Sequence, residues 1–205
     1  MGGHAAGEVA SQIAASTVEQ SIASNESGLA MEELLQLAVL KANASVYETQ
    51  KQRVECRGMG STLTVLTFVD SHYYIAHVGD SRAYLYRSNA LSQLTRDHSL
   101  VWPLFESKIL TKEDISRHPQ KNLITRSIGT QPQVEPDIQK GAALEGDIFL
   151  LCSDGLTDVL SDRDILNVLS NADKNPQELS DIIVNAANEG GGPDNITAVV
   201  VHLVP

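Results

Sequence analysis

The chain has 205 residues, 42 % hydrophobic and 20 % charged, the proportions of a globular protein with length enough for one domain around a sizeable core. Its 26 acidic against 15 basic residues leave a net charge of −11, which repels phosphate backbones and anionic membrane surfaces and excludes nucleic acid as an expected partner. The apolar runs are of strand length, short of the ~20 residues of a membrane span. No basic segment followed by an apolar stretch opens the chain, and Cys56 and Cys152 make no disulfide framework. The expectation is a cytoplasmic protein with no membrane contact. Aromatics amount to only 4 %, so Leu, Ile, Val and Ala must fill the core.

From Ala5 to about Ser24 the residues Ala10, Ile13, Ala14, Val18 and Ile22 recur at helical spacing. Asn25 to Gly28 breaks the pattern, and a second helix is predicted from about Met31 to Val54 with Leu34, Leu35, Ala38 and Ala42 inward. After Gly58 the period changes. "STLTVLTFVDSHYYIAHVGDSRAYLYR" reads as three successive antiparallel strands joined by tight turns at Asp70-Ser71 and Gly79-Asp80. A short fourth strand is predicted around Leu91 to Leu94, after the Ser88-Asn89 turn. His98 to Pro136 is irregular apart from a short helix begun by Thr111, with Asp114 three residues on. "DIFLLCSDG" reads as a buried strand ending in an acidic turn. Ser161 with Asp164 starts one helix, Asn175-Pro176 with Glu178 starts another that runs to about Asn188, and "ITAVVVHLV" closes the chain as a strand. Helices flanking a block of antiparallel strands define an α+β protein, expected as a single domain over residues 1–205.

Three aspartates fall at strand ends: Asp80 in "VGDSR", Asp154 in "LCSDG" and Asp194 in "GGPDN". Carboxylates that converge from neighbouring strands need cations between them, and an oxygen-only set suits Mg²⁺ or Mn²⁺. Each dipeptide is also an ordinary turn former, so spacing alone leaves both readings open. A thiolate phosphatase would need an arginine six residues after its nucleophile, where Cys56 has Thr62 and Cys152 has Asp158. A Gly-x-Ser-x-Gly elbow and a P-loop are missing as well. Arg82 and Arg126 are read as salt-bridge or surface residues, and His77, His98 and His118 as structural or surface ones.

In order, "MGGHAAGEVAS", "GMGSTLTVL", "HVGDSRAYLYR", "LTRDHSLV", "HPQKNLITRSIG", "LLCSDGLTDVLSD" and "GGPDNITAVVV" resemble the bacterial metal-dependent type 2C (PPM-type) serine/threonine protein phosphatases. The resemblance runs from Met1 to Val201. It implies two antiparallel sheets stacked face to face with helices outside, an α-β-β-α sandwich. It also implies hydrolysis of phosphoserine and phosphothreonine on proteins by a metal-activated water, with two Mn²⁺ or Mg²⁺ ions and a third, weaker site. Asp154 and Asp194 match the family's C-terminal metal ligands and Asp80 the carboxylate of the third site. Asp158 joins them if a helical turn after Gly155 puts positions 154 and 158 on one face. His4 matches the proposed general acid. The implied partners are phosphoproteins and a serine/threonine kinase, with the chain a monomer.

In the family the stretch resembling "MGGH" follows Ala-Asp-Gly, whose aspartate bridges both metals, and earlier strands carry a phosphate-binding arginine and a further acidic ligand. The chain as it stands is therefore expected to lack N-terminal strands and to turn over poorly, below an N-terminally extended version. The alternative is a non-catalytic pseudophosphatase that binds phosphoproteins or a signalling partner. Where many relatives have a glycine after the glutamate before "ILTKED", this chain reads Glu106-Ser107-Lys108, a departure that bears on substrate preference.

Overall fold

A computed structural model of the chain describes residues 6–24, 28–171 and 174–204, without the side chain of residue 116. Two long helices come first, α1 (Gly7–Ala23) and α2 (Met31–Gln52), and a single 3₁₀ turn, Val54–Cys56, ends the helical region. The apolar stripes do what their spacing demands. Ala10, Ala14 and Val18 of α1 and Leu35, Ala38 and Ala42 of α2 are buried against each other and against strand side chains.

The strands are β1 (Leu63–Val69), β2 (His72–Val78), β3 (Arg82–Arg87), β4 (Ala90–Gln93), β5 (Asp137–Ala142), β6 (Ile148–Cys152) and β7 (Ala198–His202). They form two antiparallel sheets, ordered β1-β2-β5 and β4-β3-β6-β7. This corrects the expected run of three consecutive pairings: β1 and β2 are a hairpin, but the Gly79–Ser81 turn carries the chain out of the first sheet, so β3 pairs with β4 and β6 instead. Gly79 makes the crossing possible with φ +117°, and a Cβ there would lie 2.4 Å from the Thr62 methyl. The β3–β4 hairpin turns through Ser88 and Asn89, both at positive φ (51° and 60°), the geometry of a type I′ turn.

Alternation along the strands sorts side chains into three layers. Tyr74, Ala76 and Val78 of β2 meet α1 and α2, whereas Tyr73 and Ile75 meet Ala83, Leu85 and Phe149 of the other sheet. Phe149 is fully buried there, edge-on to Phe68 at 5.3 Å and to Tyr73 at 5.2 Å. On the outer face of the second sheet, Ile148, Leu150 and Cys152 pack against Ile165, Leu169, Leu179 and Ile183, which belong to α6 (Asp162–Leu169) and α7 (Pro176–Glu189). The result is the expected α-β-β-α sandwich. Capping boxes at Ser161/Asp164 and Asn175/Glu178 fix where α6 and α7 begin, as their sequences predict.

The irregular stretch holds two short helices, α3 (Trp102–Glu106) and α4 (Lys112–Arg117), and then β5. The α4 capping box of Thr111 and Asp114 was legible; α3 and β5 were not. Among the described residues no helix is long and apolar enough to cross a membrane.

Candidate active site

The site lies where β2, β6 and the loop before β7 end. Asp80 follows β2 in the turn that changes sheets, and it is 8 % exposed. Gly79, its neighbour, is clamped by His98 in both directions: the His98 backbone N–H donates to the Gly79 carbonyl (2.7 Å), and the Gly79 N–H donates to His98 Nδ1 (3.1 Å). That bond leaves Nε2 to carry the imidazole proton, facing Asp137 Oδ1 at 3.3 Å. His77 is equally committed. Its Nδ1 meets Thr64 Oγ1 and its Nε2 the carbonyls of Gly79 and Arg96, each at 3.0 Å, and burial brings its pKa down to about 4. Both histidines are structural, in line with the sequence reading.

Asp154 opens a single helical turn, α5 (Asp154–Thr157), directly after β6. The Asp158 N–H closes that turn on the Asp154 carbonyl at 2.8 Å. The Asp194 loop is held against it by Ser153, whose hydroxyl donates to the Asn195 carbonyl (3.1 Å) and accepts from the Thr197 N–H (3.0 Å). Gly155 allows this approach: a Cβ would stand 2.4 Å from the Asn195 oxygen. Asp80, Asp154 and Asp158 line one cavity of about 410 Å³, while Asp194 is exposed on the adjoining loop.

The electrostatics match carboxylates crowded together. Burial, then Asp154 and Asp97, push Asp80 up to about 7. Burial, then Asp158 and Asp194, raise Asp154. These carboxylates resist joint ionisation unless a cation offsets them, and a hard oxygen donor set is chemically suited to Mg²⁺ or Mn²⁺. Geometry adds a restriction: among the described residues no three His, Cys, Asp or Glu side chains gather as a closed ligand group. Asp158 is also held by Lys121 at 2.8 Å. The described carboxylates thus fit a divalent cation by chemistry and form one open flank around it. His4 lies outside the described residues.

The arginines are spoken for. Arg82 forks onto buried Asp97, with Nε at 2.9 and 3.1 Å and Nη2 at 2.6 Å, and Arg126 pairs with Asp137 at 3.0 Å. Cys152 is buried and its thiol is pushed up to about 12 by burial, so thiolate chemistry is closed to it. Sequence reasoning missed the rest of the lining: Trp102, Lys112, Ile115 and Lys121 also line the cavity. No fixed spacing marks them, because they reach it from a segment without periodicity.

A stacked pair of antiparallel sheets with helices outside, and carboxylates gathered at one end of it, defines the architecture of the metal-dependent PPM phosphatases. The comparisons agree. Residues 1–102 match the family described as Protein phosphatase 2C, and residues 109–204 match Stage II sporulation protein E (SpoIIE). The serine/threonine phosphatase stp of Listeria monocytogenes is 36 % identical over 205 residues, covering 98 % of this chain and 81 % of that protein. The serine/threonine protein phosphatase PstP of Mycobacterium tuberculosis is 39 % identical over all of this chain, which spans only 39 % of that relative's length. The crystal structure of the PstP catalytic domain in complex with two manganese ions superposes with a TM-score of 0.88 at 36 % identity, covering 100 % of this chain and 85 % of that one. The chain belongs to the bacterial PPM-type (type 2C) serine/threonine phosphatases, a family of enzymes.

Proposed function

We propose that residues 1–205 form one phosphatase domain that hydrolyses phosphoserine and phosphothreonine on proteins with Mn²⁺ or Mg²⁺. The observation that carries this reading is the gathering of Asp80, Asp154 and Asp158 on one cavity, with the Asp194 loop held beside Asp154 by Ser153. On this reading Asp154 and Asp194 would hold the principal cations and Asp80 with Asp158 a weaker third; the related PstP structure contains two manganese ions. When bound, the cations supply Lewis acidity toward the phosphoryl group and a water acidic enough to attack it. The chain's own residues do the rest. His98 and Gly79 hold the Asp80 backbone in place, Ser153 ties the Asp194 loop to Asp154, and His4 supplies the proton to the leaving seryl or threonyl oxygen. The substrates are phosphoproteins made by a serine/threonine kinase, and the protein acts as a cytoplasmic monomer.

A second reading, a non-catalytic relative that binds phosphoproteins, is favoured by one observation: no closed ligand group forms among the described residues. On the enzyme reading the same open flank would hold cations weakly and keep this chain's turnover low. The deciding test is Mn²⁺-dependent phosphate release from a phosphothreonine peptide by this chain, with Asp154→Ala as control. Release abolished by the substitution supports the enzyme; no release, with peptide binding intact, supports the second reading.

A further inference from the structure

Four cationic side chains line the cavity: Arg82, Lys112, Lys121 and Arg163. Three of them are matched by a carboxylate of the chain, Arg82 by Asp97, Lys112 by Asp162 and Lys121 by Asp158. Arg163 is different. It lies in the first turn of α6, it is exposed, and it makes no hydrogen bond or ion pair among the described residues. The reason is local, because both carboxylates beside it in sequence are committed elsewhere. Asp162 accepts from the Lys112 ammonium. Asp164 Oδ2 accepts from the Ser161 N–H at 3.0 Å and the Ser161 hydroxyl at 2.6 Å, which closes the capping box of α6, and these bonds lower the Asp164 pKa more than the nearby Arg163 charge does. A guanidinium carries five donors in a fixed fork, so Arg163 stays solvated until an anion reaches it from outside the chain.

We propose that Arg163 is a specificity-determining residue: it receives a side-chain carboxylate from the peptide flanking the phosphorylated residue, so the domain prefers phosphoserine and phosphothreonine with an acidic neighbour. The assignment rests on the phosphatase reading for its ligand class. Position supports it. Arg163 shares one cavity of about 410 Å³ with Asp80 and Asp154, so a peptide whose phosphate lies at the aspartates brings a residue only a few positions away to Arg163. Charge supports it as well. The chain carries a net charge of −11, and its field works against acidic peptides. Cations at the aspartates offset that field for the phosphate, and Arg163 is the lining cation left without a carboxylate of its own to offset it for a neighbouring acidic side chain. An exposed pair of this kind changes affinity by about two- to fivefold at low salt and by less at high salt.

The experiment uses the full chain with saturating Mn²⁺ and phosphothreonine peptides that carry a single Glu, Gln or Lys at each position flanking the phosphoresidue in turn. Phosphate release gives kcat/KM, and anisotropy of the same peptides labelled with fluorescein gives binding. Arg163→Gln, Arg163→Lys and Arg163→Glu are compared with the wild type after thermal melts show that each folds, which is expected because no bond of the fold is lost. The expected result is a two- to fivefold preference for Glu over Gln at one flanking position, carried by KM and fading at high salt. Arg163→Lys keeps part of this preference, Arg163→Gln brings the ratio to one, and Arg163→Glu inverts it in favour of the Lys peptide. Equal turnover of Glu and Gln peptides, or a preference that survives Arg163→Gln, overturns the assignment and leaves the phosphatase reading standing. So does a loss in Arg163→Gln that is the same for every peptide, since that places Arg163 on the phosphoryl group itself. A binding preference that follows the charge at position 163 without any phosphate release supports the assignment and overturns the enzyme reading. Neither binding nor release overturns both.

Discussion

Asp80→Asn tests the electrostatics of the site without any catalysis. In the folded chain the Asp80 carboxyl is pushed from 3.8 to about 7 by burial and by Asp154 and Asp97. Because the folded pKa lies above the unfolded one, the folded state holds the proton more tightly, and stability falls as pH rises from about 4 through 7. Three pKa units correspond to about 4 kcal/mol, the full effect once the group is ionised in both states. Asparagine keeps the shape and removes the charge. In EDTA the variant should therefore exceed the wild type by about 1–2 kcal/mol at pH 5 and about 4 kcal/mol at pH 8. At pH 8 that is roughly 10 °C in melting temperature for a chain of this size. Calorimetric melts from pH 5 to pH 8 read the difference directly. Saturating Mn²⁺ should close the gap, since the cation stabilises the ionised wild-type site and finds fewer ligands in the variant. Melting temperatures of the two proteins that run parallel across this range would show that Asp80 is neither desolvated nor crowded, and the argument for converging carboxylates would fall with it.

Other substitutions probe the frame around the site. Arg82→Met leaves Asp97 buried without its fork and should lower stability in urea by about 3–5 kcal/mol, with Arg82→Lys in between. Gly155→Ala drives a Cβ to within 2.4 Å of the Asn195 oxygen and should destabilise by about 1–3 kcal/mol while weakening Mn²⁺ binding measured by calorimetry, because the Asp194 loop must retreat. Lys108 sits at φ +58°, so Lys108→Gly should raise the melting temperature by about 2–4 °C, the reverse of an ordinary lysine-to-glycine change. Cys152, buried and protonated up to about pH 12, should react with iodoacetamide at pH 8 only as fast as the protein unfolds.

The sequence by itself determined the features that depend on near neighbours. The stripes of α1 and α2, the capping boxes at Thr111, Ser161 and Asn175 and the apolar run of β6 were legible because each is a pattern over a few residues answering to one helix or one buried strand. The three candidate aspartates were legible as residues at strand ends. Tertiary structure decided that Asp80 and Asp154 share a cavity with Asp158 and that Asp194 stays exposed on an adjoining loop. It also decided that β2 and β3 part at Gly79, since pairing is a choice among distant partners that "VGDSR" does not encode. The strand over "DIQKGA" has Ile138 as its single β-forming side chain; it exists because β2 offers an unpaired edge, and Gly141 fits there because the Tyr73 ring occupies the place of a Cβ, 2.4 Å away. Trp102 had no pattern around it at all. Its place on the cavity that Asp154 also lines comes from the fold, because only packing brings the short helix α3 to a strand end some fifty residues away.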